Sequence, residues 1–224
     1  MRGLPVSESS LSSMPLARDA GGMLVPPPVG PWKLPHTGKV GIITFLCSEV
    51  CFFSTLIVAY VVFYGRDSLT GGMGGPTPRD VLSLPLVLCT TLCLLYSSVT
   101  IHLADRALRR RRPTTFIGMW TGTIALGTVF LLGTAWEWNE LINHHQLTIS
   151  RNLFGTTFYT LVGFHALHVT VGVIVMTIVL YLALRRHLAE NDRGSIELIS
   201  WYWHFVDAVW IVVFTVVYLM PHFE

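Results

Sequence analysis

Residues 41–60 read GIITFLCSEVCFFSTLIVAY, an apolar stretch in which Glu49 is the only charged side chain. At about 1.5 Å per residue, a helix of this length spans roughly 30 Å, the thickness of the hydrocarbon core of a bilayer. The whole chain agrees with this, since 52% of its 224 residues are apolar and only 12% are charged. Such a composition fits a water-facing surface poorly, so the stretch predicts a helix that crosses a membrane.

Four further apolar runs of similar length follow the first. Each is long enough to cross a bilayer core as a helix. Between the first two runs, GRDSLTGGMGGPTPRD (65–80) contains glycines and prolines that cannot continue either helix. The sequence therefore predicts an all-α, polytopic membrane protein with five transmembrane helices, near residues 39–64, 81–104, 115–139, 154–184 and 196–220.

The first 36 residues differ in composition from the rest of the chain. They are rich in serine, proline and glycine and have no apolar period, which is typical of segments that do not form a packed core. They also lack the apolar core of a signal peptide, so the first apolar run is expected to be retained as a helix. We predict a disordered or extended tail over residues 1–36 and a transmembrane bundle over residues 37–224.

Arginines are concentrated after the second and fourth predicted helices, in 106–112 and 185–193. Short loops that carry positive charge stay on the cytoplasmic side. Because helices alternate in direction, the N-terminus is then inside and the C-terminus, which ends in PHFE without a basic residue, is outside. A juxtamembrane arginine cluster is explained by contact with anionic lipid, for which Arg185 and Arg186 are candidates, and not by binding of nucleic acid.

Charged and titratable side chains inside a membrane span are costly, so each is a candidate functional residue. Glu49 lies about 15 Å from the cytoplasmic start of its helix, and His165 lies at the same depth when counted from the outer start of the fourth helix. We therefore expect Glu49 to hydrogen-bond His165, with His168 as the second choice, and the sequence leaves its protonation state open. His204 and Asp207 of the fifth helix complete the set of buried polar candidates.

A metal or haem site is disfavoured by the spacing of the possible ligands. Glu137, Glu140 and His144 share one helical face, but tryptophans flank them, as in an aromatic belt at a wet membrane interface. Glu137 and Glu140 are therefore assigned to the outer interface. A haem between His165 and His204 is conceivable, yet we favour histidines that hydrogen-bond carboxylates and backbone across helices.

Small and aromatic residues mark the last two predicted helices. Gly155, Gly163 and Gly172 form a small-residue surface that lets another helix approach closely. The tryptophans of the fifth helix could form an interfacial belt or contact lipid, and the sequence alone favours neither reading. These are Trp201, Trp203 and Trp210.

Three of these segments resemble signature helices of cytochrome oxidase subunit III. They are GTTFYTLVGFHALHVTVGV (155–173), WYWHFVDAVWIVVFTVVYLM (201–220) and LCSEVCFF (46–53), and the resemblance extends over about residues 37–221. Several matching positions are polar residues within apolar helices, which makes the motifs specific. The chain is similar to the shorter, five-helix bacterial form of the family, although the tail over 1–36 has no counterpart with a known family role.

The resemblance implies a subunit of a proton-pumping, oxygen-reducing oxidase of the bacterial inner membrane. Such a subunit has no catalytic residue, haem or copper of its own, since those cofactors belong to partner subunits I and II. It holds structural phospholipid in a cleft between its first two helices and the rest of the bundle, and it supports proton uptake during turnover. The residues carried over are Glu49, His165, His168, His204 and Asp207, together with Glu137 near the outer end of the third helix.

The electron donor follows less directly from the resemblance. Glu49 favours the branch that uses cytochrome c, whereas GGPTPRDVLSLPLVL (74–88) and FTVVYLM (214–220) also resemble quinol oxidases. Two other classes of protein are possible alternatives. One is a transporter that uses Glu49, His165 and Asp207 as a proton relay, and the other is an independent membrane haem or di-iron enzyme.

Overall fold

The computed structural model describes residues 17–18, 24–25, 37–64, 84–143, 153–185 and 193–223. The chain divides into two units, Met1–Thr37 and Gly38–Glu224. In the first unit, strands β1 (Ala17–Arg18) and β2 (Leu24–Val25) form an antiparallel pair in which Ala17 lies opposite Val25. The remainder of the predicted tail, like the predicted loop at 65–80, lies outside the described residues.

The second unit is built from helices. They are α1 (Thr37–Phe63), α2 (Leu84–Arg109), α3 (Pro113–Asn143), α4 (Leu153–Leu184) and α5 (Arg193–Phe214), followed by a π-helical turn (Thr215–Leu219) and α6 (Met220–Phe223). In the described residues, five helices are long and apolar enough to cross a membrane, with the last running from α5 into the π-helical turn. The prediction of five such helices is confirmed.

α2 continues beyond its predicted end at residue 104 because its last turn is charged and capped. Arg109 Nε donates to Asp105 Oδ2 at 2.9 Å across one helical turn. The amide of Arg112 then donates to the carbonyl of Ala107 at 3.0 Å and that of Arg111 to Leu108 at 3.1 Å. Arg111 has a φ of 55°, so it supplies the left-handed residue that closes such a cap.

Helices α2, α3, α4 and α5 form a closed ring, in which each packs along two neighbours. Its core is largely aromatic, and the largest fully buried side chains include Trp120, Trp203, Trp210, Tyr218, Phe130 and Phe158. α1 lies against α4 and α5 through side chains and stays largely exposed on the surface of the chain. Two apolar clefts therefore lie between α1 and the helices α4 and α5. The cleft expected between the first two helices and the rest is not the arrangement of the described residues, because α2 packs against α3 and α5 within the ring.

The ring closes tightly around the indole of Trp203. A Cβ on Gly127 of α3 would lie 2.8 Å from Trp203 Cη2, and one on Gly172 of α4 would lie 2.8 Å from Cζ3. Both distances are shorter than a van der Waals contact, so only glycine fits at these two positions on either side of the indole. The predicted close approach at Gly172 is thus an approach to a side chain of α5.

Candidate functional site

Glu49 of α1 and His168 of α4 form a polar contact that joins α1 to the ring. Glu49 Oε2 lies 3.1 Å from His168 Nε2, and the two side chains are only 17% and 15% exposed. The hydrogen bond predicted between Glu49 and the fourth helix is therefore present. Its partner is the second choice, His168, and the first choice, His165, is wrong.

The bonds around His168 fix what the pair can do chemically. His168 Nδ1 donates to the carbonyl of Phe164 at 2.7 Å, since a carbonyl can only accept. Nε2 therefore either accepts a hydrogen bond from a neutral Glu49 carboxyl or, in the imidazolium, donates one to a carboxylate. Tyr202 of α5 adds a third helix, because its hydroxyl donates to the carbonyl of His168 at 3.0 Å. The hydrogen-bonded pair thus lies where α1, α4 and α5 meet.

His165 occupies an aromatic pocket on another face of α4. It is fully buried, stacks on Trp210 with ring centroids 4.7 Å apart and meets the edge of Phe130 at 5.8 Å. Neither ring nitrogen has a hydrogen-bond partner among the described residues. The depth comparison that favoured His165 ignored rotation, since residues three apart on a helix differ by about 60° in direction.

A second polar cluster joins α2 to α5. Ser98 donates a short hydrogen bond to Asp207 Oδ2, and His204 Nδ1 lies 3.1 Å from the same hydroxyl. Asp207 is 3% exposed, whereas His204 is half-buried. The sequence singled out both ionisable residues but missed Ser98, whose only signal is its place in TTLCLLYSS (90–98), a hydroxyl-rich stretch within an apolar run.

Glu137 does not lie at a wet interface, so that prediction is wrong. It is 3% exposed and accepts a hydrogen bond of 2.9 Å from Tyr218, which is also buried. Tyr218 lies in the π-helical turn, where the i→i+5 bonding changes the direction of the following side chains. No simple sequence pattern predicts a π-helical turn. Glu140 is exposed at the end of α3, and its place at the outer interface stays a prediction.

Two of the three tryptophans predicted at an interface or against lipid lie inside the ring, so those readings are wrong for them. Trp203 donates to Ser97 Oγ at 2.8 Å and Trp210 donates to Thr91 Oγ1 at 3.0 Å. These hydroxyls of α2 satisfy the indole N–H groups, which allows both rings to be buried. For Trp201 and Arg185, which stay partly or largely exposed, lipid contact remains a prediction, and Arg186 lies outside the described residues.

An ion cluster that the sequence reasoning missed ties three helices together near the arginine-bearing turn. Glu197 Oε1 of α5 lies 3.3 Å from Lys39 Nζ of α1 and 3.8 Å from Arg109 Nη2 of α2. We call this end of the bundle, with Lys39, Arg109–Arg112 and Glu197, the basic end. Nothing in the sequence around Glu197 pairs it with residues more than eighty positions away.

The described part of the chain contains no group of three or more His, Cys, Asp or Glu side chains placed to hold a metal ion. His165 and His204, the pair considered for a haem, are engaged differently. His165 is stacked on an indole, and His204 is bonded to Ser98. The fold and the site thus define a polytopic helical membrane protein with buried carboxyl groups bonded to histidine, serine and tyrosine.

Comparison with known proteins places this architecture in a family. A family model described as cytochrome c oxidase subunit III matches residues 34–221. Cytochrome c oxidase subunit 3 of Corynebacterium diphtheriae is 32% identical over 88% of this chain and 95% of its own length. Its counterpart in a Synechocystis species is 34% identical over 83% of this chain and 77% of its own length.

A relative from the quinol branch is similar to the same degree. Cytochrome bo(3) ubiquinol oxidase subunit 3 of Pseudomonas aeruginosa is 35% identical over 79% of this chain and 81% of its own length. The chain belongs to the cytochrome c oxidase subunit III family, and it is a subunit III of the haem-copper oxidase class. The resemblance read from the sequence is confirmed.

Proposed function

We propose that this chain is the accessory subunit of a bacterial cytochrome c oxidase that reduces oxygen to water and pumps protons. In this proposal it contacts subunits I and II, which carry the haem and copper, and has no redox centre of its own. Its N-terminus lies inside and its C-terminus outside the inner membrane. The observation behind the proposed supporting role is the Glu49–His168 pair, a partly buried hydrogen bond between α1 and the ring.

The pair suits a supporting role better than a catalytic one. Glu49 and His168 hydrogen-bond each other, and Tyr202 donates to the backbone carbonyl of the histidine. We infer that the pair keeps α1 in place during turnover and so sustains proton uptake by the partner subunit. His204 and Asp207 belong to the same proposed support, whereas His165 is better explained as a packing residue of the aromatic core.

Structural phospholipid is the second part of the proposal. A cleft of about 300 Å³ between α1 and α5 and another of about 240 Å³ between α1, α4 and α5 have almost wholly apolar walls. Acyl chains match such walls, and Lys39, whose Nζ lies 5.4 Å from the ring centre of Trp201, is placed at the basic end beside the second cleft. Lysine and tryptophan are the residues expected near lipid headgroups.

The electron donor is proposed to be cytochrome c, with quinol as the alternative. Relatives of both kinds match this chain at similar identity, 32–34% for cytochrome c oxidases and 35% for the ubiquinol oxidase. A free-standing transporter is less well supported. Its relay would need Glu49, His165 and Asp207 in one chain of bonds, but Glu49 bonds His168 and Asp207 bonds Ser98.

Purification through an affinity tag on this chain in mild detergent tests the proposal. We expect two partner subunits to co-purify with this chain, the first carrying haem and the second containing copper. Copper in the second subunit would identify cytochrome c as the electron donor. A haem-bearing complex without copper in the second subunit would favour quinol. A lone colourless chain, or stoichiometric iron, copper or zinc in this chain after its partners are stripped, would contradict the proposal.

A further inference from the structure

Ser98 of α2 connects two titratable side chains of α5 through one hydroxyl group. Its hydrogen is donated to Asp207 Oδ2, and its oxygen accepts from His204 Nδ1. A hydroxyl that accepts from one group and donates to another can pass a proton between them without becoming charged. Ser98 therefore has the bonding of a relay, with His204 on one side and Asp207 on the other.

The polar side chains around Ser98 lie at increasing depth from the basic end. Counted along their helices at about 1.5 Å per residue, Asp105 lies roughly 6 Å from Arg109, His102 roughly 10 Å and Ser98 roughly 16 Å. His204 lies at the level of Ser98, and Asp207 lies one turn deeper. His204 is half-buried, and on α2 His102 and Asp105 lie one and two turns from Ser98 toward the basic end. Polar groups therefore extend from the basic end to Asp207.

Asp207 is the end of this sequence of groups. A carboxyl group in a membrane interior is held there by a neighbouring cation or by a proton. Within the described ranges the carboxyl group of Asp207 has one hydrogen-bond partner, Ser98 of α2, and its Oδ1 atom has none. The charged and titratable groups near its relay are His204 on α5 and His102 and Asp105 on α2. A proton that reaches Asp207 has no onward bond in this part of the chain.

We propose that Asp207 is an internal proton-binding site, loaded and emptied from the basic end through His204 and Ser98. Water near His102 and Asp105 delivers a proton to His204 Nε2, and the Nδ1 proton passes to Ser98 Oγ. Ser98 at the same time gives its own proton to the Asp207 carboxylate, so His204 changes tautomer and Ser98 stays neutral. The inference builds on the proposed function, because it gives this chain a proton store of its own beside the oxidase.

Infrared difference spectroscopy of the intact complex tests the proposal. We expect a protonated-carboxyl band that is lost in Asp207→Asn and shifted in Asp207→Glu, a variant that keeps the carboxyl group. In Ser98→Ala, the exchange of the carboxyl proton of Asp207 for deuterium, followed by this band, should slow by roughly tenfold or more. A positioned proton-transfer group contributes at least that much to a rate. Ser98→Thr keeps the hydroxyl and should restore fast exchange.

Ser97→Ala is the matched control, because Ser97 precedes Ser98 and bonds Trp203 instead of Asp207. Its exchange rate should equal that of the unmodified complex. The proposal is overturned if no band follows Asp207 at any pH, or if Ser98→Ala exchanges at the unmodified rate. It is also overturned if Ser97→Ala slows exchange as much as Ser98→Ala does. The measurement needs no oxygen reduction, so these results leave the tests of the proposed function unaffected.

Discussion

Two histidines three positions apart on α4 have opposite surroundings. His168 uses both ring nitrogens, one on Phe164 and one on Glu49, whereas His165 is packed between rings and uses neither within the described residues. A buried polar atom without a partner costs about 1 to 3 kcal/mol. His168 is therefore a polar link between helices, and His165 contributes mainly its shape to the core.

The difference between the histidines can be measured with matched substitutions. His165→Phe keeps a flat ring and loses no hydrogen bond seen in the structure, so the thermal stability of the complex should stay the same or rise. His168→Phe removes the partner of Glu49 and should lower stability by about 1 to 3 kcal/mol. Thermal denaturation of both purified complexes checks this. A larger loss from His165→Phe than from His168→Phe would contradict the assignment.

For single residues, the sequence indicated which side chains matter but not which partners they bond. Charged or titratable groups in apolar runs are conspicuous. Glu49, His168, His204 and Asp207 could therefore be picked out from their positions within those runs. Their partners depend on the rotation of each helix about its axis, which apolar runs hardly constrain. For the same reason a Ser or Tyr partner, such as Ser98 or Tyr218, could not be predicted.

The helices of the ring pack around Trp203, which needs the absence of a side chain on both neighbours. A methyl group on Gly127 or Gly172 would approach the indole to 2.8 Å. An indole wedged between two helices cannot move aside without shifting one of them. Overpacking of this kind costs about 1 to 3 kcal/mol.

We therefore expect Gly127→Ala and Gly172→Ala each to lower the stability of the chain by about that amount. Gly122→Ala is the control on the same helix, since a Cβ there meets nothing within 4 Å. It should be neutral or slightly stabilising, because alanine favours a helix over glycine by up to about 1 kcal/mol. Thermal unfolding distinguishes the three variants when it is monitored through the release of the subunit from the complex. Equal stability of all three would show that Trp203 is not confined.

Which helices exist was predictable from the sequence, and how their faces are arranged was not. Length and apolarity alone defined α1 to α5, because a membrane demands about twenty apolar residues per span. Burial could not be read in the same way, since almost every position is apolar whether it faces lipid or a neighbour. Trp203 and Trp210 were therefore misassigned to the surface, and the π-helical turn that buries Tyr218 against Glu137 was missed.

For the molecule as a whole, the ion cluster at the basic end brings Lys39, Arg109 and Glu197 to one side of the bundle. The arginines of the turn between α2 and α3 lie at this same end. Positive charge of this kind is retained on the cytoplasmic side of a membrane. The start of α1, the end of α2 and the start of α5 are therefore all expected inside the cell.

This orientation can be tested with introduced cysteines and a membrane-impermeant thiol reagent. A cysteine at position 224 should be labelled in intact spheroplasts, and one replacing Arg110 should be labelled only in inverted vesicles. The chain without introduced cysteines provides the background, because Cys47, Cys51 and Cys89 are exposed on the helices. Labelling of position 224 only in inverted vesicles would mean that the topology is reversed.

We propose that this chain sustains the oxidase through the contact between Glu49 and His168, and oxygen consumption measured over many turnovers is the sharpest test of that role. For Glu49→Ala we expect full haem content, intact assembly and a normal initial rate, followed by a faster decline of activity than in the unmodified complex. Ser48→Ala is the control, because Ser48 lies next to Glu49 on α1 and its hydroxyl donates to the carbonyl of Phe45 on the same helix; its activity should decline at the unmodified rate. Loss of all activity of Glu49→Ala from the first turnover, or a time course identical to the unmodified complex, would contradict the account.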